Sequence, residues 1–213
     1  MRPAAELATT GEQAHEPDLR WEPWSPDEVA TRLRAVTAPW CVAGGWALDL
    51  CRGEQTRSHE DLEIALPAAA FGQVHAALAG CDFEVAGDGK LWPMGGPAFA
   101  TMHQTWVSEL VPGPPARRVY RLDVFREPSR DGEWVCRRDE GIQLPYERVI
   151  RRDRAGLPYL APEIALLFKA KAMRPKDEAD FGAMLPLLAP GERDWLRRML
   201  DRVHPGHTWI RAL

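Results

Sequence analysis

Apolar residues fall into short runs over the first two-thirds of this chain and into helical stripes over the last third. Leu62, Ile64 and Leu66 alternate with Asp61, Glu63 and Ala65, the period-two pattern of a half-buried strand. Trp40-Cys41-Val42-Ala43 reads as a short buried strand ending at Gly44-Gly45. Residues 46–51 then read as a helical turn or two, stopped near Gly53. Ser25-Pro26-Asp27-Glu28 combines an N-cap serine, a proline at the first helical position and acids in the first turn, and predicts a helix to about Val36. Pro67 opens a helix that Gly80 ends. Strands are expected over 81–85, 101–110 and 119–125, with 134–137 a further candidate. Gly87-Asp88-Gly89 and Gly95-Gly96-Pro97 bracket an irregular stretch.

From Pro162 the period changes. Ile164, Leu167 and Phe168 form one helical stripe, Pro175 opens a second helix through Leu188, and Pro190 opens a third with Trp195, Leu196 and Met199 on one face. These patterns predict an α/β body over residues 19–157, a helical C-terminal subdomain over 158–213, and a flexible arm over 1–18.

The 213 residues suffice for one sizeable core, and 45% hydrophobic with 27% charged residues is ordinary for a soluble globular protein. A net charge of −4 argues against a dedicated nucleic-acid binder. No apolar run approaches the ~20 residues that cross a bilayer. Residues 1–18 lack the order of a secretory leader, so a cytoplasmic location is expected. Cys41, Cys51, Cys81 and Cys136 are too scattered for a zinc site and are expected as free thiols.

Candidate chemistry concentrates in two places. A glycine pair lets backbone N–H groups approach a phosphate closely. Asp61 and Glu63, two apart on a strand, point the same way and suit a hard divalent cation. Asp123, a single acid between Leu122 and Val124-Phe125, is the candidate third carboxylate. Such a set can hold a nucleoside triphosphate with its magnesium for phosphoryl or nucleotidyl transfer.

Gly44-Gly45-Trp46-Ala47-Leu48-Asp49, Gly53, Thr56-Arg57, His59 and Asp61-Leu62-Glu63-Ile64 resemble the lincosamide and aminoglycoside nucleotidyltransferases of the DNA-polymerase-β-like superfamily, and bacterial nucleotidyltransferase-domain proteins. His103-Gln104-Thr105-Trp106 and Arg121-Leu122-Asp123 extend the likeness. The resemblance implies a small mixed sheet flanked by helices and a magnesium-dependent enzyme. That enzyme would move a nucleoside monophosphate from a triphosphate, ATP expected, to a hydroxyl of an antibiotic-like or sugar-containing small molecule. It implies that Gly44 and Gly45 bind the triphosphate and that Arg57 contacts phosphate. Asp61, Glu63 and Asp123 would ligate magnesium, Asp123 also serving as general base. Lys169 and Lys176 would neutralise the triphosphate from a helical pair closing over the cleft. The chain departs from the family at Glu63, where aspartate is usual, and the extra methylene moves the carboxylate by about the ~1 Å that changes rates 100-fold.

Blander roles stand beside these. His59 and His103 can be structural rather than site residues, and Trp46 and Trp106 core or wall rather than acceptor contacts. Asp49 can cap, or pair with Arg52 or Arg57. Lys176 can simply pair with Asp180 along a helix. The six arginines from Arg137 to Arg154, offset by Asp139, Glu140, Glu147 and Asp153, read as a mixed charged hairpin. A toxin-type enzyme acting on tRNA or protein, and a degenerate nucleotide binder without turnover, are the alternative functions. Trp195, Trp209 and Ile210, taken as exposed, permit a homodimer.

Overall fold

The computed structural model describes residues 14–15 and 20–213, so most of the arm expected over 1–18 lies outside the described residues. Helix α1 (Pro26–Arg32) starts as its sequence dictates. Ser25 Oγ accepts from the Glu28 amide at 3.2 Å, and Glu28 returns a carboxylate to the Ser25 amide at 2.7 Å. Strand β1 (Cys41–Val42) leads into α2 (Gly44–Arg52), so the glycine pair forms the first turn of a helix rather than a loop after the strand. Gly53, at φ +80°, ends α2. Then come β2 (Glu63–Pro67), α3 (Phe71–Ala77) and β3 (Asp82–Gly87).

The stretch expected to be irregular is a hairpin from β3 to β4 (Lys90–Pro93), followed by α4 (Pro97–Thr101). Asp88-Gly89 makes its turn with both residues at positive φ, the geometry short hairpins need. Strands β5 (Gln104–Val111) and β6 (Arg117–Glu127) form the longest pair. A small second sheet holds β7 (Ser129–Arg130), β8 (Glu133–Val135) and β9 (Gln143–Leu144). After α5 (Tyr146–Val149), strands β10 (Ile150–Arg152) and β11 (Pro158–Leu160) return to the main sheet. Helices α6 (Pro162–Lys169), α7 (Pro175–Met184) and α8 (Pro190–Val203) complete the chain.

The main sheet is mixed, in the order β10-β11-β1-β2-β6-β5-β3-β4, with parallel pairs at β1/β11 and β2/β6. The alternation along β2 assigns its faces correctly: Leu62, Ile64 and Leu66 enter the core, while Glu63 and Ala65 face a cleft. The expectation of a half-buried strand needs correction, because that second face is covered too, and Ala65 is 7% exposed. Alpha-helical cover comes from α6, whose Ile164, Leu166 and Leu167 are wholly buried in the same hydrophobic cluster as β1, β2 and α2. Burial of such side chains stabilises by roughly 1.5–3 kcal/mol each, so the helical tail and the sheet hold each other in place.

Trp195 and Trp209 are buried rather than exposed, and Ile210 packs partly against the core. Trp209 stacks on Phe181 at 4.2 Å and donates its indole N–H to Glu178. That removes the sequence-based reason for a dimer. The four cysteines are unpaired. No helix is long and apolar enough to cross a membrane among the described residues.

Candidate active site

Glu63 and Asp123 are direct partners in the parallel pairing of β2 with β6, so their side chains leave the sheet on one face. Their register is fixed by the Asp123 amide donating to Leu62 O at 2.9 Å and the Ala43 amide donating to Glu63 O at 2.8 Å. The second of these bonds also brings the start of α2 over Glu63. Gly44 has φ +60°, and a Cβ there would lie 1.5 Å from Glu63 Oε2. Only glycine satisfies both constraints.

Gly45 and Asp49, four apart, share the face of α2 that meets the loop before β2. A Cβ on Gly45 would lie 2.4 Å from Arg57 and 2.7 Å from His59. Buried Asp49 accepts from Thr56 Oγ1 at 2.5 Å and contacts His59 Nε2 at 2.6 Å, while Trp46 stacks on the His59 ring at 4.6 Å. Asp49 therefore pairs with neither Arg52 nor Arg57. It pins the loop that delivers Asp61, and His59 and Trp46 are parts of that pin.

The carboxylates crowd one another. Burial and the Asp61 charge push the Glu63 carboxyl up to about 7, against partial relief from Lys169, Arg137 and Arg174. Burial and the Glu63 charge raise Asp123 well above the usual carboxylate range. Gln104 Nε2 donates to Asp123 Oδ2, while Asp123 Oδ1 is buried without a hydrogen bond. The Trp106 indole N–H, equally without a bond at ordinary distance, still lies near enough to hold the Asp123 carboxyl down slightly. Trp106 stands directly opposite Asp123 on β5 and packs edge-on to Trp21 and Tyr120. It is a wall of the site.

The donor set fits a hard divalent cation, and Asp123 Oδ1 is a buried acceptor lacking a partner. The three acids are nevertheless not pre-assembled. No group of three or more His, Cys, Asp or Glu side chains is placed to hold an ion among the described residues. Glu63 packs its carboxylate against Gly44, and Gln104 occupies Asp123 Oδ2, so side-chain rotation must accompany metal binding.

Beside Glu63 and Gly44 opens a cleft of about 250 Å³, lined by Arg137, Arg138, Lys169, Lys171 and Arg174. Lys169 is buried and ion-paired to Asp180 at 2.9 Å and Asp177 at 3.3 Å. Asp180 also receives Arg57 in two bonds, at 3.2 and 3.3 Å. Lys176 meets exposed Glu60 at 3.4 Å instead of Asp180, and does not line the cleft. Arg174 is held by Asp177 and Arg137 by Glu127. Arg138 and Lys171 have no carboxylate partner within ion-pair distance among the described residues. His103 is exposed just before β5; burial and nearby Arg137 lower its pKa.

Gln104, Glu127, Arg137 and Arg138 were not legible as site residues. Gln104 had a signal, since it precedes Trp106 by two on one strand face. The two arginines sat in a stretch whose mixed charge pointed to a solvated hairpin, whereas the turn after β8 aims them into the cleft.

Residues 27–93 match the family of aminoglycoside-2''-adenylyltransferases. The backbone superposes on a lincosamide antibiotic adenylyltransferase, LnuA, solved with lincomycin, at TM-score 0.51 and 18% identity over 73% of this chain and 91% of that one. It superposes on ANT(2'')-Ia in complex with adenylyl-2''-tobramycin at TM-score 0.52 and 14% identity, over 82% of this chain and 97% of that one. This is the polymerase-β-like nucleotidyltransferase fold. No curated protein sequence matches the chain significantly. The nucleotidyltransferase relation agrees with the family match over α1 to β4, which includes the glycine pair and the Asp61-Glu63 strand.

Proposed function

We propose that this protein is a magnesium-dependent nucleotidyltransferase that moves a nucleoside monophosphate from a triphosphate, expected to be ATP, to a hydroxyl of an antibiotic-like or sugar-containing small molecule. The observation that carries this reading is the Glu63–Asp123 pair, placed by register beside the Gly44 helix start and a cationic cleft. Asp61, Glu63 and Asp123 are the residues that would hold magnesium, which when bound supplies charge neutralisation of the triphosphate. Gly44 and Gly45 give the phosphates access to the first turn of α2. Arg138 and Lys171 supply positive charge not already neutralised by a carboxylate. Asp123 takes the proton from the acceptor hydroxyl as that oxygen attacks the α-phosphorus and pyrophosphate leaves. Arg57, His59 and Lys169 shape the cleft by holding the loop and α7. A cytoplasmic location fits use of the cellular nucleotide pool.

Two observations favour a second reading, a nucleotide binder without turnover: the acids are not assembled for metal among the described residues, and Glu63 stands where the resemblance implies an aspartate. Calorimetric titration with ATP, with and without magnesium, and pyrophosphate release over a panel of aminoglycosides, lincosamides and other polyols separate the two. Magnesium-dependent binding with release on at least one acceptor supports transfer. Binding indifferent to magnesium, with no release on any acceptor, supports the binder.

A further inference from the structure

Along β6, Asp123, Phe125 and Glu127 share one face. Glu127 is four residues beyond Asp123, about 13 Å away at the ~3.3 Å rise of a strand. It lines the same cleft and is only 3% exposed. Its Oε1 is committed to Arg137, and its Oε2 is buried without a hydrogen-bond partner. The cleft wall that includes Glu127 also holds the aromatic side chains of Phe125, Trp134 and Phe168. Arg137 lies over Phe125 at 4.5 Å and over Phe168 at 4.4 Å.

This arrangement has a polarity that matches a nucleotide. The cationic mouth suits phosphates and disfavours a polycationic acceptor, the aromatic wall suits a flat ring, and the inner end offers one unused carboxylate oxygen. An ionised carboxylate accepts hydrogen bonds and donates none. Buried acceptors left unpaired are costly, so a site of this kind discriminates strongly between ligands that bring a donor and those that do not.

We propose that Glu127 is the base-reading residue of the cleft, its Oε2 accepting a hydrogen bond from an exocyclic amino group of the donor nucleotide. The site thus favours an amino-bearing nucleoside triphosphate. This rests on the nucleotidyl-transfer reading above and adds to it the class of base.

The experiment is a calorimetric titration of the full chain, with magnesium, against three matched pairs: ATP and purine riboside triphosphate, GTP and ITP, CTP and UTP. The members of each pair differ by loss of an amino group, or by its exchange for a carbonyl. At least one amino-bearing member is expected to bind tenfold or more tighter than its mate. Glu127→Ala is expected to shrink that ratio to within about twofold, whereas Arg138→Ala weakens both members alike. Equal affinity within all three pairs overturns the assignment while leaving nucleotidyl transfer standing, and an unchanged ratio in Glu127→Ala does the same. Failure of every triphosphate to bind overturns both. The wild-type comparison decides the matter even if Glu127→Ala fails to fold.

Discussion

Glu63 and Gly44 occupy the same space by turns: the glutamate carboxylate sits where a side chain on residue 44 would begin, 1.5 Å from its Cβ position. The missing side chain of one residue is what allows the longer side chain of the other. The longer side chain of Glu63 thus packs against the helix start.

Gly44→Ala should therefore destabilise the protein by ~2–4 kcal/mol, combining the left-handed backbone cost with the clash. Chemical denaturation checks the size. In a Glu63→Ala background the same change should cost only ~1–2 kcal/mol, because the backbone term alone survives. Equal costs in the two backgrounds would show that the contact contributes nothing.

Asp123→Asn removes the proposed base and proposed metal ligand while keeping a shape that Gln104 can still bond. Turnover should fall ~100-fold or more, with affinity for the magnesium nucleotide changing by less than ~10-fold. Pyrophosphate release and calorimetry together read the split. Equal losses in both would reduce Asp123 to a binding ligand.

The metal-free protein should lose stability as pH rises. Burial and the Asp61 charge put the Glu63 carboxyl at about 7, above its unfolded value near 4.5. Between those values the folded chain binds more protons than the unfolded one, so this contribution is fully present below about 4.5 and is lost as pH rises through 7. A loss on the order of 2 kcal/mol is expected between pH 5 and pH 8. Thermal melts of wild type and Glu63→Gln over that range isolate it. The variant should show a flatter profile, and one parallel to wild type would remove Glu63 as the source.

Asp180 joins Arg57 of the loop before β2 to Lys169 of α6. Asp180→Ala leaves the buried Lys169 with Asp177 alone and frees Arg57. A loss of ~2–4 kcal/mol is expected, since breaking a buried pair from one side strands the other charge. Urea unfolding measures it, and a change under ~0.5 kcal/mol would mean the network is solvated.

Arg138→Ala and Lys171→Ala should each weaken binding of inorganic tripolyphosphate about 3- to 10-fold, with a shallower salt dependence. Titration at two ionic strengths tests this. Lys176→Ala, outside the cleft and paired with exposed Glu60, should change it little.

The order of glycines and acids from Gly44 to Glu63 was readable because it is local: period two put Asp61 and Glu63 on one strand face, and the glycine pair marked the end of the strand before it, though not its place in the first turn of α2. Prolines and caps marked the helices, and Pro162 marked the change to the helical tail. What strand spacing does not contain is which strands are neighbours. The parallel pairing of β2 with β6 brings Asp123 opposite Glu63 across 60 residues, and no periodicity encodes that. Charge misled for the same reason. Arg137 and Arg138 read as part of a mixed charged hairpin among nearby acids, yet the fold turns them toward α6. Lys169 and Arg57 were expected on the triphosphate, yet Asp177 and Asp180 of the next helix pair with them. The sequence by itself determined the elements and the residue types able to do this chemistry, because local sterics and burial act over a few residues. Only the tertiary structure decided which charges stay unpaired in the cleft, because Coulomb energy and desolvation depend on distances that folding alone sets.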